Sequence, residues 1–144
     1  MSRVLIGIDP GKETGIAIMR DGDLLVLETC SFFDVLSFLE GWGLEPKTDV
    51  QVYIEDPNLN KPVFDRGQRG RIALNIAQKV GANKRDAELL IEYCNRIGIP
   101  VFPVRPQSGP FTKMTAEFFK KQTGWTGRTS QHARDAYSMI IGRG

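Results

Sequence analysis

A chain of 144 residues suits one compact domain with a single buried core, and its 41% apolar and 25% charged content is that of an ordinary globular protein. No apolar run reaches membrane-spanning length, Asp9 interrupts the apolar N-terminal stretch too early for a signal-peptide layout, and Cys30 and Cys94 stand alone without metal-ligand spacing, as reduced thiols of a cytoplasmic protein do. The net charge of +2 hides an uneven distribution: residues 1–58 carry 4 basic and 11 acidic side chains, and residues 59–144 carry 15 basic and 6 acidic. A basic half of this kind fits either a polyanionic partner or a solvated surface.

In chain order, Val4–Asp9 reads as a buried strand ending in an acid. Pro10-Gly11 marks a turn, Thr14–Met19 a second strand, Asp21-Gly22 a two-residue hairpin turn, and Leu24–Glu28 a third strand. Ser31 caps a helix to about Trp42, with Phe32, Val35, Leu36 and Leu39 at helical spacing. Val50–Glu55 is a fourth strand, also ending in an acid and stopped by Pro57. Residues 58–80 read mainly as a loop, although Ile72–Lys79 has helical character. A helix is predicted from Asn83, with Ala87, Leu90, Ile91, Cys94 and Ile97 as its apolar stripe and Gly98 as its stop. Ile99–Val104 is a fifth strand. Thr112 or Thr115 opens a helix to about Thr123, and a last helix runs from about Ser130 to Ile141. The order predicts an α/β protein: a five-stranded mixed sheet, three strands antiparallel and the later ones parallel, flanked by helices.

Asp9 and Glu55 each end a predicted buried strand, and bare carboxylates are not tolerated in the middle of a sheet. If the first and fourth strands are neighbours, the two acids share one site, where their mutual repulsion is relieved by a hard divalent cation. On the last helix His132 and Asp135 lie three residues apart, on one face and beside the apolar stripe of Ala136, Met139 and Ile140. Such a set of carboxylates and an imidazole suits a phosphodiester site with two metal ions, His132 serving as ligand or general base. Each residue also has a plainer role open to it. Asp9 can be a turn residue before Pro-Gly, Glu55 a strand-end surface acid, His132 a surface residue, and Asp135 an ion-pair partner of Arg134 or Arg128. Asp56, pointing opposite to Glu55, is read as structural. Gly7, Gly11 and Gly15 do not make a dinucleotide fingerprint, because the segment enters a strand and not a helix; they are expected to let a phosphate backbone approach the sheet edge. Trp125, between two Gly-Thr pairs, either stacks on a base or sugar or pins the last helix.

These residues resemble a known family. Ile6-Gly7-Ile8-Asp9-Pro10-Gly11 with Thr14-Gly15 looks like the first-strand motif of RuvC-type Holliday junction resolvases, Tyr53-Ile54-Glu55 like their second acidic motif, and His132-Ala133-Arg134-Asp135-Ala136 like their C-terminal helix motif. Gly81–Glu92 and the segment TGWTGRTSQHARDA look closest to phage-encoded members. The resemblance spans the chain and implies an RNase H-like fold as a single domain over 1–144. It also implies a homodimer acting on branched DNA in the cytoplasm of a bacterial or phage-infected cell, with paired nicks across a four-way junction. Asp9, Glu55, His132 and Asp135 become the ligands of Mg2+ or Mn2+, two ions per site, with no nucleotide cofactor and no membrane. Lys61, Arg66, Arg69, Arg71 and Lys79 fall where the family has a DNA-contacting loop, Lys84 follows them, and Lys113 falls near basic residues used close to the cut phosphate. Phe64 in the same loop either wedges into a junction centre or anchors the loop. The dimer-helix pattern of the bacterial enzyme is not found in residues 81–97, and the preceding loop differs in length. Competing readings are a broader nuclease for flaps or RNA–DNA hybrids, and a junction-binding module without catalysis. An actin-like phosphotransferase needs a second domain for which 144 residues leave no room.

Overall fold

The computed structural model describes residues 1–59, 71–106 and 114–143, and of 71–80 the backbone alone. Five strands, β1 (Ser2–Asp9), β2 (Thr14–Arg20), β3 (Asp23–Cys30), β4 (Thr48–Glu55) and β5 (Val101–Val104), form one sheet in the order β3-β2-β1-β4-β5. The first three are an antiparallel meander, and β4 pairs parallel to β1 and to β5. The β2–β3 turn holds both Asp21 (φ 49) and Gly22 (φ 91) at positive φ, as a tight two-residue hairpin turn requires. Leu25 is bulged out of the pairing between β2 and β3 and is exposed.

Both faces of the sheet are covered, which is why β1 reads as an unbroken apolar run. One face buries Val4, Ile6 and Ile8 of β1, Ile16 and Ile18 of β2, and Val50, Val52 and Ile54 of β4. Against it lie α1 (Phe32–Gly43), through Val35 and Leu39, and α2 (Arg71–Ile97), through Ala87, Leu90 and Cys94. The other face presents Leu5, Ala17, Leu27 and Tyr53 to α4 (Gln131–Ile140), which buries Ala133, Ala136, Tyr137, Met139 and Ile140, and to Phe119 of α3 (Ala116–Thr123). Three helices begin at their expected caps: the Ser31, Thr115 and Ser130 side chains accept from Asp34 N, Phe118 N and Ala133 N, and Asp34 completes a capping box on Ser31.

The main departure from the sequence reading concerns α2. It starts at Arg71 and not at Asn83, so Asn83 lies within the helix. The segment 71–80 is rich in Ala, Leu, Gln and Lys, good helix formers, and the helix continues through Gly81 at a cost of about 1 kcal/mol relative to alanine. Strand ends also extend beyond their apolar cores, because pairing and not burial sets them: Ser2 pairs with Thr48, and Thr14 with Cys30. Ile99 precedes β5 but packs in the core. Among the described residues no helix is long and apolar enough to cross a membrane.

Candidate active site

β1 and β4 run parallel with Ile8 opposite Ile54, so Asp9 and Glu55 are consecutive neighbours at the same end of the sheet. Alternation fixes their direction. Ile8 and Ile54 face α1 and α2, whereas Leu5 and Tyr53 face α4, and Asp9 and Glu55 share that parity. Both acids therefore project from the face that the last helix covers. Asp9 is buried, at 8% exposure, and Glu55 is half-buried.

Helix α4 reaches this corner because two glycines let it lie directly on the sheet. A Cβ at Gly7 would collide with the Ala136 carbonyl oxygen, and one at Gly15 with the His132 carbonyl. These glycines thus admit the backbone of α4, and the expectation that they clear space for a phosphate backbone is corrected for both. Gly15 stands opposite Asp9 in β1 and opposite Thr29 in β3. One row across three strands therefore seats the first turn of α4. His132 lies over Gly15, its Nδ1 is 3.0 Å from Asp9 Oδ2, and the Ser130 hydroxyl is hydrogen-bonded to the Thr29 hydroxyl. Opposite an ionised carboxylate, Nδ1–H donates, which leaves Nε2 of this half-exposed imidazole as the nitrogen that can bind a metal or take a proton.

Asp135, one turn further on, accepts at Oδ1 from Gln131 Nε2 at 2.7 Å. It forms no ion pair among the described residues, and its neighbour Arg134 is directed elsewhere. Arg134 donates to the Met114 carbonyl (2.8 Å), to the Thr129 carbonyl (2.9 Å) and hydroxyl (2.6 Å), and to Gln131 Oε1 (3.2 Å). Gln131 was not singled out in the sequence, and Arg134, read there as an ion-pair partner open to Asp135, makes no such pair. The i,i+4 spacing of Gln131 and Asp135 was a visible signal, but the reach of Arg134 to Met114 was not. Asp56 is buried and structural in its contacts: its Oδ1 accepts from the Asn58 backbone N–H (2.9 Å) and side-chain amide (2.8 Å), which starts the 3₁₀ turn Pro57–Leu59. Trp125 packs, partly buried, against the cluster around α4, as a pin for that helix does.

Of the expected DNA-contacting residues, Lys84 is half-buried on α2, and its carbonyl accepts from Asn58 Nδ2 at 3.5 Å. Arg71 and Lys79 lie on α2, where the backbone alone is described. Lys61, Arg66, Arg69, Lys113 and Phe64 lie outside the described residues.

No family model matches the chain, and no curated protein sequence matches it. Among solved structures the chain is similar to RuvC of T. thermophilus in complex with a Holliday junction substrate. The TM-score is 0.57 and the identity 19%, over 94% of this chain and 89% of that one. The chain has an RNase H-like fold. Within that fold Asp9, Glu55, His132 and Asp135 all belong to elements that meet at one corner: the ends of two central parallel strands and the helix laid across them.

Oxygen donors and one imidazole are the ligands that a hard divalent cation accepts, so the chemistry of the set fits such an ion. Its arrangement is open. Among the described residues no three Asp, Glu, His or Cys side chains gather around one point, Asp9 being held by His132 and Asp135 by Gln131.

Proposed function

We propose that the chain is a metal-dependent endodeoxyribonuclease that resolves four-way DNA junctions by hydrolysing phosphodiester bonds, placing paired nicks as a homodimer of a single 1–144 domain. The observation that carries this reading is the meeting of the Asp9 and Glu55 strand ends beneath a helix whose His132 bonds to Asp9. The likeness to a fold solved on a Holliday junction supports the substrate class. So does the basic second part of the chain, with Lys61, Arg66, Arg69, Arg71, Lys79, Lys84 and Lys113 as the contacts to phosphate.

Asp9, Glu55, His132 and Asp135 would hold Mg2+ or Mn2+. Bound there, the ions, two in sites of this chemistry, would lower the pKa of a water and offset charge on the leaving oxygen. The chain's own part is positional and acid–base. Asp9 fixes the tautomer of His132, and Nε2 is then available at the exposed edge of the pair. Glu55 supplies a second carboxylate from the adjacent strand, and the strand pairing prevents the two acids from drifting apart. The enzyme would work inside a bacterial or phage-infected cell, and the phage-encoded resolvases are the members it would most resemble.

The test is cleavage of end-labelled four-way junctions, flaps, RNA–DNA hybrids and plain duplex in Mg2+, Mn2+ or EDTA. Symmetric paired nicks on the junction alone, absent in EDTA, are expected. Equal cutting of flaps or hybrids would move the function to a broader branched-substrate nuclease. Tight binding without any cutting would reduce it to a binding module.

A further inference from the structure

Arg134 is a buried cation, at 9% exposure, with no carboxylate partner among the described residues. Buried guanidinium groups ordinarily sit against an acid, because desolvation of an unpaired charge is costly. Here backbone carbonyls, a hydroxyl and an amide take that place. Two of the three partner residues anchor the group: Met114, through its carbonyl just ahead of α3, and Thr129, just ahead of α4. The third is directed at the site. Arg134 Nη2 donates to Gln131 Oε1, and this decides which way the amide faces. With its oxygen turned to the guanidinium, Gln131 presents Nε2 to Asp135 Oδ1 at 2.7 Å.

We infer that Arg134 is a positioning residue for Asp135, acting through the Gln131 amide, and that this relay sets the carboxylate as a cation ligand without neutralising it. This rests on the metal-site reading proposed above. A direct Arg–carboxylate fork would engage both oxygens and cancel the charge that a divalent cation needs. A neutral amide placed between them occupies one oxygen only. Oδ2 of Asp135 has no hydrogen-bond partner among the described residues. Adjacent helix positions do not face each other, so Arg134 cannot reach around to its neighbour, whereas Gln131, one turn back, can. The same guanidinium ties the segments before α3 and α4 together, so the carboxylate is referenced to the frame of the fold.

The test uses the full chain without DNA. Mn2+ is titrated by calorimetry into wild type, Q131L, R134K, the Q131L/R134K double variant and D135N, and each is melted in EDTA. Outer ligand-orienting partners typically contribute 10-fold or more to metal affinity. The expected result is a loss of about 10-fold in Mn2+ affinity in Q131L and in R134K. The double variant should be no worse than the weaker single one, and Q131L should melt at the wild-type temperature in EDTA. Independent, multiplying losses would show that Arg134 does not act through Gln131 and overturn the relay. So would R134K melting lower with Mn2+ affinity intact, which is a purely structural role. If D135N loses Mn2+ and Q131L does not, this inference fails while the metal site stands. If D135N binds Mn2+ like wild type, Asp135 is not a ligand, and the inference falls while a site on Asp9, Glu55 and His132 stands.

Discussion

At the scale of single residues the site depends on what the Asp9 carboxylate holds. It is nearly buried, ends a central strand and accepts from an imidazole 3.0 Å away. Asp9→Asn keeps the volume and removes the charge. The expected outcome is junction binding within a few-fold of wild type and no measurable nicking in Mg2+; wild-type cutting by this variant would remove Asp9 from the site. A second residue makes a pH prediction. Cys94 is wholly inside the core, and burial pushes its thiol from an ordinary value of 9.0 up to about 11. Between these values the unfolded chain sheds a proton that the folded chain keeps. Stability is therefore complete below pH 9 and declines as pH rises toward about 11. Urea midpoints measured from pH 8 to 11 should fall for wild type and fall less for Cys94→Ala; equal slopes would exclude this thiol as a source of the decline.

At the scale of elements the decisive contact is α4 on β1 and β2, made at Gly7 and Gly15. Gly15→Ala places a methyl group where the His132 carbonyl lies, and backbone cannot give way as a flexible side chain can. The expected cost is roughly 1–3 kcal/mol or more of overpacking, seen as a lower thermal midpoint, together with lost cutting because His132 is lifted off Asp9. An unchanged midpoint would mean that the helix is not seated as described. Much of this architecture was legible in the sequence. The strand-end acids, the Ser31 and Ser130 caps and the Asp21-Gly22 turn are local signals, and each stands where propensity and spacing put it. What was not legible depends on contacts across the chain. Glycines that admit a helix look the same in sequence as glycines that admit a ligand. Likewise, nothing around residue 134 announces Met114 as a partner. The early start of α2 was missed for a different reason: Asn83 looks like a cap, but a long helix passes through it.

At the scale of the whole molecule, charge is divided between the two parts of the sequence. The acidic part supplies the strand-end carboxylates and the basic part the cations we assign to DNA. Each phosphate contact releases condensed counterions, so affinity for a junction should fall steeply with salt. Replacing Arg66, Arg69 and Arg71 together with alanine should weaken binding and flatten the log–log salt slope by up to about 3. A slope equal to that of wild type would show that this segment does not touch phosphate.

The bond between Asp9 and His132 spans 123 positions of sequence. Closing so large a loop is entropically costly, and contacts of this range form late relative to a local meander such as β1–β2–β3. A chain that had formed only the meander would carry its first carboxylate without the imidazole that bonds to it. If the chain cuts DNA as proposed, recovery of strand scission on refolding should lag behind recovery of sheet structure.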